Sequence, residues 1–292
     1  MLQWNCLSAT VYRTAEIVHT LCSGGLPSRI KQKENGNNMI KKNESMTSDE
    51  ANGLFLSALR TDFSLSGLEG YLTPENEDRF CRLYRRLTEE NRRYNLTAVT
   101  DPVKAALLHF TDSVAVASLF PHGATLLDVG CGGGFPSLPL AIVRPDLRIT
   151  ACDATAKKTA YVAESARLLG LTNLTVLTGR AEELAHDARY RAAFSAVTAR
   201  AVAALPVLTE LCMPFVSGGG RFYALKGAAA ADEERSAQNA VRLCGGVFTE
   251  RISLSVKSPD ENPERFCIIA EKRKATPEEY PRPYARILKK PL

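Results

Sequence analysis

The residues best suited to chemistry in this chain form one block, Asp128-Val129-Gly130-Cys131-Gly132-Gly133-Gly134-Phe135-Pro136. An apolar run over 125–129 reads as a buried strand, and it breaks into four glycines within five residues. Glycine lacks Cβ, so its backbone can approach a ligand closely, and a helix opening after the loop aims free N–H groups the same way. The next strand expected, 148–152, ends in Asp153, 23 positions beyond Gly130. An acidic residue about 20 positions past such a loop suits the hydroxyl pair of a ribose. The block predicts a site for a nucleoside-containing cofactor.

The spacing narrows the cofactor. A dinucleotide fingerprint needs a third glycine where Phe135 stands, and the phosphate loop needs a Lys-Ser/Thr pair that does not follow. What remains is G-x-G-x-G at Gly130, Gly132 and Gly134, with no dedicated phosphate ligand. That favours a ribose and base without pyrophosphate, and S-adenosylmethionine is the obvious case. A ligand-free strand-to-helix turn is the alternative, and Asp153 weighs against it.

Length and charge set the frame. A chain of 292 residues with 45% hydrophobic side chains can bury one large or two smaller cores. No apolar run approaches the ~18–20 residues of a membrane span. Eight scattered cysteines, with no C-x-x-C and no paired Cys/His spacing, predict reduced thiols in a cytoplasm and no metal. Cys131 reads as a small tolerated side chain rather than a nucleophile. The net charge of +5 is uneven: residues 1–46 carry +3 and residues 271–292 carry +4, leaving the body slightly acidic. Basic ends on a near-neutral body suit a polyanionic partner, and equally an ordinary solubilising terminus.

Four segments are expected. Residues 1–46 lack periodicity and read as a disordered extension without a signal peptide, with Met39 or Met46 as alternative starts. Residues 47–120 read as a helical segment packed on the catalytic domain: Ser48 caps a first helix, and Thr73-Pro74 opens a second running to about Tyr94. The second helix carries Arg85, Arg86, Arg92 and Arg93 among acidic neighbours, so a solvated ion-paired face competes with a nucleic-acid surface. Residues 121–274 alternate strands and helices. Strands are expected at 125–130, 148–153, 173–178, 194–198 and 221–224, followed by a terminal antiparallel pair at 247–256 and 266–270. Helices are expected near 138–143, 156–169, 181–187, 205–213 and 228–243. Repeated β-α units imply a mostly parallel sheet with helices on both faces, an α/β Rossmann-like architecture, with the ligand at the carboxyl strand ends. Residues 275–292 read as a basic C-terminal tail.

Several blocks together resemble the RsmG (GidB) family, bacterial 16S ribosomal RNA guanine-N7 methyltransferases. They are 95–102 (Asn-Leu-Thr-Ala-Val-Thr-Asp-Pro), His109-Phe110-Thr111-Asp112-Ser113, the glycine loop ending Phe135-Pro136, Lys157-Lys158, Arg180-Ala181-Glu182, Arg200-Ala201, 224–227 (Ala-Leu-Lys-Gly), Tyr280-Pro281-Arg282 and Lys289-Lys290-Pro291-Leu292. The likeness covers residues 48–292 and departs from the family at Ser137, where Gly is usual, and at Ser195, where Asp is common.

The resemblance implies a seven-stranded methyltransferase fold using S-adenosylmethionine, with 16S RNA or the small ribosomal subunit as partner, in the cytoplasm and as a monomer. It makes Gly130, Gly132, Gly134, Phe135, Asp153, Ala181, Glu182 and Arg200 cofactor contacts. Lys226, His109 and Asp112 become candidates for positioning the base. Arg85, Arg86, Arg92, Arg93, Lys226, Arg282, Lys289 and Lys290 become candidates for RNA contact. Guanine N7 is a lone-pair nucleophile with no proton to lose, so no general base is required and positioning carries the barrier reduction. A target base must also be unstacked or lie in an accessible loop. Two other classes stay open: a noncatalytic S-adenosylmethionine- or RNA-binding protein, and a methyltransferase for another substrate.

Overall fold

A computed structural model describes residues 46–292, so the expectations for the N-terminal extension fall outside the described residues, save for Met46. The chain enters on α1 (Ser48–Ser66), where Thr47 and Glu50 close a capping box and Gly67 ends the helix at φ 72°. Helix α2 (Pro74–Tyr94) is capped by Thr73, with Pro at its first turn. The short α3 (Pro102–Ala105) runs into a π-helical turn, Ala106–Thr111, and then α4 (Asp112–Val114).

Strand and helix then alternate through β1 (Thr125–Val129), α5 (Ser137–Val143), β2 (Arg148–Asp153), α6 (Ala156–Leu168), β3 (Leu174–Thr178), α7 (Ala181–Leu184), β4 (Phe194–Arg200), α8 (Leu205–Cys212) and β5 (Val216–Lys226). Helices α9 (Ala230–Ser236) and α10 (Gln238–Leu243), strands β6 (Gly246–Ser253) and β7 (Phe266–Lys272), and α11 (Tyr284–Lys289) complete it.

The sheet order is β3-β2-β1-β4-β5-β7-β6, as in the expected Rossmann-like methyltransferase architecture. The first five strands pair in parallel, and β7 lies antiparallel to both β5 and β6. Period-two alternation distributes the strand side chains between two cores. Leu126, Ile149, Ala196 and Tyr223 face a layer built from α1, α2, the π turn, α5 and α6. Leu127, Val197, Phe222 and Ile268 face one built from α8, α9, α10 and α11. After β3 the chain crosses back beside β1, so the strand order reverses between β1 and β4. Ligands of such sheets bind outside the carboxyl ends at that reversal.

Several boundaries differ from the sequence expectations. β5 starts at Val216, not 221, because its glycine run lies within a strand that carries a bulge against β4. A Cβ on Gly220 would stand 2.8 Å from the Ser195 carbonyl oxygen, which explains the glycine there. The helix expected at 228–243 is two, α9 and α10, which meet at Ala237, where the backbone leaves the helical region at φ −93° and ψ 2°. The first helical segment after β3 ends at Leu184 rather than 187, and β6 ends at Ser253 rather than 256.

The basic C-terminal stretch is docked on the body. Arg282 forks onto the fully buried Glu210 at 2.6 and 2.8 Å, and Ile287 is buried. Lys272 is buried as well, donating to the Met213 and Cys244 carbonyls and to Thr276.

Candidate functional site

At the end of β1 the glycine loop turns through positive φ at Gly130 (76°), Gly132 (54°) and Gly134 (86°). These values belong to the left-handed region that side chains disfavour. The amides of Gly130 and Cys131 both donate to the Cys152 carbonyl, at 2.8 and 2.9 Å, fastening the loop to the end of β2. Asp153 completes the clamp: one carboxylate oxygen accepts from the Gly132 amide at 3.1 Å and the other from the Thr155 amide at 2.8 Å. Each oxygen retains a lone pair for a further donor. A Cβ at Gly132 would meet nothing nearer than the Gly130 oxygen at 3.9 Å, so bare backbone borders open space. That space is a cavity of about 340 Å³ whose lining includes Gly130, Gly132, Phe135, Asp153, Lys158 and Arg200. The geometry fits a ribose-bearing cofactor.

The wall of this cavity is built by contacts between distant segments. Phe135 stacks on His109 at 4.9 Å between centroids, meets Phe110 edge-on, and lies beneath the Arg200 guanidinium at 5.7 Å. A π turn widens the helix and often marks a functional site. Here it carries His109, and Asp112 follows directly. The His109 Nε2 pairs with the Thr97 hydroxyl at 2.7 Å. Burial, and then the nearby Arg200 charge, push the imidazole pKa down to about 4, leaving it neutral at physiological pH. Asp112 accepts from Arg200 at 2.8 Å and from Arg265 at 3.0 Å, one on each carboxylate oxygen.

A second cavity of about 410 Å³ adjoins the first. His109, Arg200 and Ala201 line both, while Lys226, Glu233 and Arg265 belong to the second alone. Ala201 at this junction holds φ 55°, a conformation that costs a non-glycine residue strain.

The structure thus gathers Gly130, Gly132, Phe135, Asp153, Arg200, His109, Asp112 and Lys226 around one double cavity. Gly134 instead lies under α5, where an added Cβ would overlap Leu138. Ala181 and Glu182 line neither cavity; Glu182 pairs with Arg180 at 2.5 Å. Lys226 is engaged, donating to the Ala203 carbonyl and to Glu233, both at 2.7 Å, with its side chain only 9% exposed. Arg265 and Glu233 escaped the sequence reading because both lie in unremarkable polar stretches, and only the fold brings them to the site.

Of the α2 arginine candidates, only Arg86 is held in a part-buried contact among the described residues, while Arg85 and Arg93 make exposed surface pairs. Arg86 bonds Ser165 and lies over Tyr161, Arg85 pairs with Asp49, and Arg93 stands 3.9 Å from Glu90. Arg92 makes no ion pair among the described residues. Lys289 and Lys290 are exposed.

The two serine departures have distinct positions. Ser195 exchanges hydrogen bonds with Thr125 at the amino end of the sheet, opposite the cavities. Ser137 is fully buried and donates to Asp128, whose other oxygen lacks a partner among the described residues. Burial raises the Asp128 pKa to about 6, and the serine hydrogen bond opposes that rise. Burial also pushes the Cys131 thiol well above its usual value, which leaves it inert. Among the described residues no group of three or more His, Cys, Asp or Glu side chains could hold a metal. No helix there is long and apolar enough to cross a membrane.

Known proteins are similar to this chain over most of its length. A family model described as rRNA small subunit methyltransferase G matches residues 76–260. The chain is 39% identical over 250 residues to the ribosomal RNA small subunit methyltransferase G of Lactococcus lactis subsp. cremoris, covering 85% of this chain and all of that one. It is 40% identical to the protein of the same name from Lactobacillus delbrueckii subsp. bulgaricus, over 78% of this chain and 97% of that one. The Leuconostoc mesenteroides protein of that name is also 40% identical, over 76% and 93%. Among solved structures, M. jannaschii TYW2 is 13% identical with a TM-score of 0.46, over 56% of this chain and 75% of that one.

Proposed function

The chain belongs to the small-subunit ribosomal RNA methyltransferase G family, and from that premise we propose that it transfers a methyl group from S-adenosylmethionine to N7 of a guanine in 16S RNA. The observation that carries the reading is the double cavity at the strand-order reversal. One chamber borders a glycine loop and a ribose-ready carboxylate, and the next has room for a base.

The Gly130 and Gly132 backbone and Asp153 would hold the methionine and ribose parts, and Arg200 would take the carboxylate. When bound, the cofactor supplies an electrophilic methyl group on a sulfonium. Transfer of that methyl to N7 would break its bond to sulfur, release a neutral thioether and leave the positive charge on the ring. No proton moves, so the protein has only to hold the reacting atoms in line and to keep stray cations away. Toward the second need, His109 is neutral and the Asp112 carboxylate offsets part of the guanidinium charge of Arg200 and Arg265. The partner in this reading is RNA of the small subunit, met in the cytoplasm, and every residue invoked belongs to one chain.

The test is transfer of labelled methyl from S-adenosylmethionine to small subunits lacking the modification, with the nucleoside product identified. Recovery of 7-methylguanosine, lost on Asp153→Ala, is expected. Cofactor binding without labelled RNA would refute the substrate, and failure to bind the cofactor would refute the site.

A further inference from the structure

We propose that Glu233 is the residue that selects guanine, reading its Watson–Crick edge from the far wall of the second cavity; the inference rests on the double cavity being a cofactor site and a base site. Glu233 lines only the second chamber, away from the glycine loop. It is held firmly at one oxygen: Oε2 accepts from the Lys226 ammonium at 2.7 Å and from the Leu205 amide at 2.8 Å. Oε1 has no hydrogen-bond partner among the described residues, although the side chain is only 26% exposed. A partly buried carboxylate with one oxygen doubly anchored and the other free is preorganised for a donor. Leu108, Leu225, Leu254 and Phe266 give the same chamber apolar walls suited to a flat ring.

Guanine presents two donors side by side, N1–H and the exocyclic N2–H, on the edge opposite its imidazole ring. A carboxylate accepts and cannot donate, so it complements that edge. Adenine presents a ring-nitrogen acceptor there, which the same carboxylate would repel. With this edge against Glu233, N7 points back toward the His109, Arg200 and Ala201 boundary shared with the cofactor-loop cavity. Transfer to N7 places positive charge on the ring and makes N1–H a stronger donor. The contact to Glu233 therefore strengthens as the reaction proceeds, and it contributes to turnover as well as to binding. Lys226 then acts as a positioning residue for Glu233 instead of touching RNA.

The test compares methyl transfer to small-subunit RNA carrying guanosine or inosine at the target position, with wild-type protein and with Glu233→Gln. Inosine keeps N7 and N1–H and lacks the amino group. Wild type should lose roughly 10–100-fold in kcat/KM on inosine, the range for a paired base contact. Glu233→Gln turns an amide NH₂ toward the guanine donors. It should lose a comparable factor on guanosine, partly in kcat, lose little more on inosine, and bind S-adenosylmethionine as wild type does. Equal wild-type rates on guanosine and inosine would overturn the proposal, and so would a wild-type kcat/KM for Glu233→Gln. The inosine comparison uses unmutated protein, so it decides even where the variant folds poorly. Absence of any transfer to guanosine by wild type would refute the parent reading, an outcome distinct from either of these.

Discussion

Asp62 offers a stability prediction whose size follows from its surroundings. It lies in α1, fully buried, and neither carboxylate oxygen has a hydrogen-bond partner among the described residues. Burial alone raises its pKa from 3.8 to about 7. The folded state therefore retains the proton over a range in which the unfolded chain has released it. Between about pH 4 and pH 7 the native state binds more protons, so this group makes stability fall as pH rises, and the loss levels off above about pH 7. At ~1.4 kcal/mol per pH unit, the gap corresponds to at most about 4 kcal/mol, and relaxation around the charge should reduce it to roughly 1–3 kcal/mol. Asp62→Asn keeps the shape and cannot ionise. Its stability should match wild type near pH 4 and exceed it by that amount at pH 8, read from urea unfolding midpoints across the series. His109 titrates near 4 and Asp128 near 6 in the same window, but both are present in both proteins and cancel in the difference. A variant that tracks wild type at a constant offset, or that is less stable at pH 8, would show that the carboxylate is solvated and refute the argument.

Other consequences concern the site. Asp153→Ala removes the proposed ribose acceptor and both loop ties, to Gly132 and Thr155, and should weaken S-adenosylmethionine binding by roughly 10–100-fold in calorimetry; an unchanged Kd would remove Asp153 from the site. Gly130→Ala puts a Cβ 2.6 Å from a Val202 methyl at φ 76°, so it should lower both cofactor affinity and thermal stability, by about 1–3 kcal/mol in the latter. Because His109 is already neutral above about pH 5, wild type and His109→Gln should give parallel rate profiles from pH 6 to 8, and an inflection present only in wild type would contradict the assigned pKa.

Much of the fold and part of the site were legible in the residues. The glycine loop and Asp153 sit at adjacent strand ends because parallel β-α units place successive carboxyl ends together, and the spacing of 130 and 153 encodes that directly. Strand limits were less legible where glycines occur inside β5, since a bulge and a turn use the same residue type. For the arginines of α2 and the C-terminal basic residues the sequence left an ion-paired face and an RNA surface both open. The structure ties Arg86 and Arg282 to Ser165 and Glu210, partners 79 and 72 positions away in the chain, and leaves Arg92, Lys289 and Lys290 exposed.

What the sequence determined by itself was local: period-two apolar strands, capped helices, a loop that only glycine can make, and a carboxylate one β-α unit beyond it. Only the tertiary structure decided the second chamber. Asp112, Arg200, Arg265, Lys226 and Glu233 come from five separate segments, and no local pattern marks them as neighbours. Asp112 meets Arg200 and Arg265, and Glu233 meets Lys226, only once the sheet brings the carboxyl ends of β4 and β5 against the π turn. Long-range ion pairing depends on where the chain returns, and that is set by packing of the two cores rather than by any spacing along the chain.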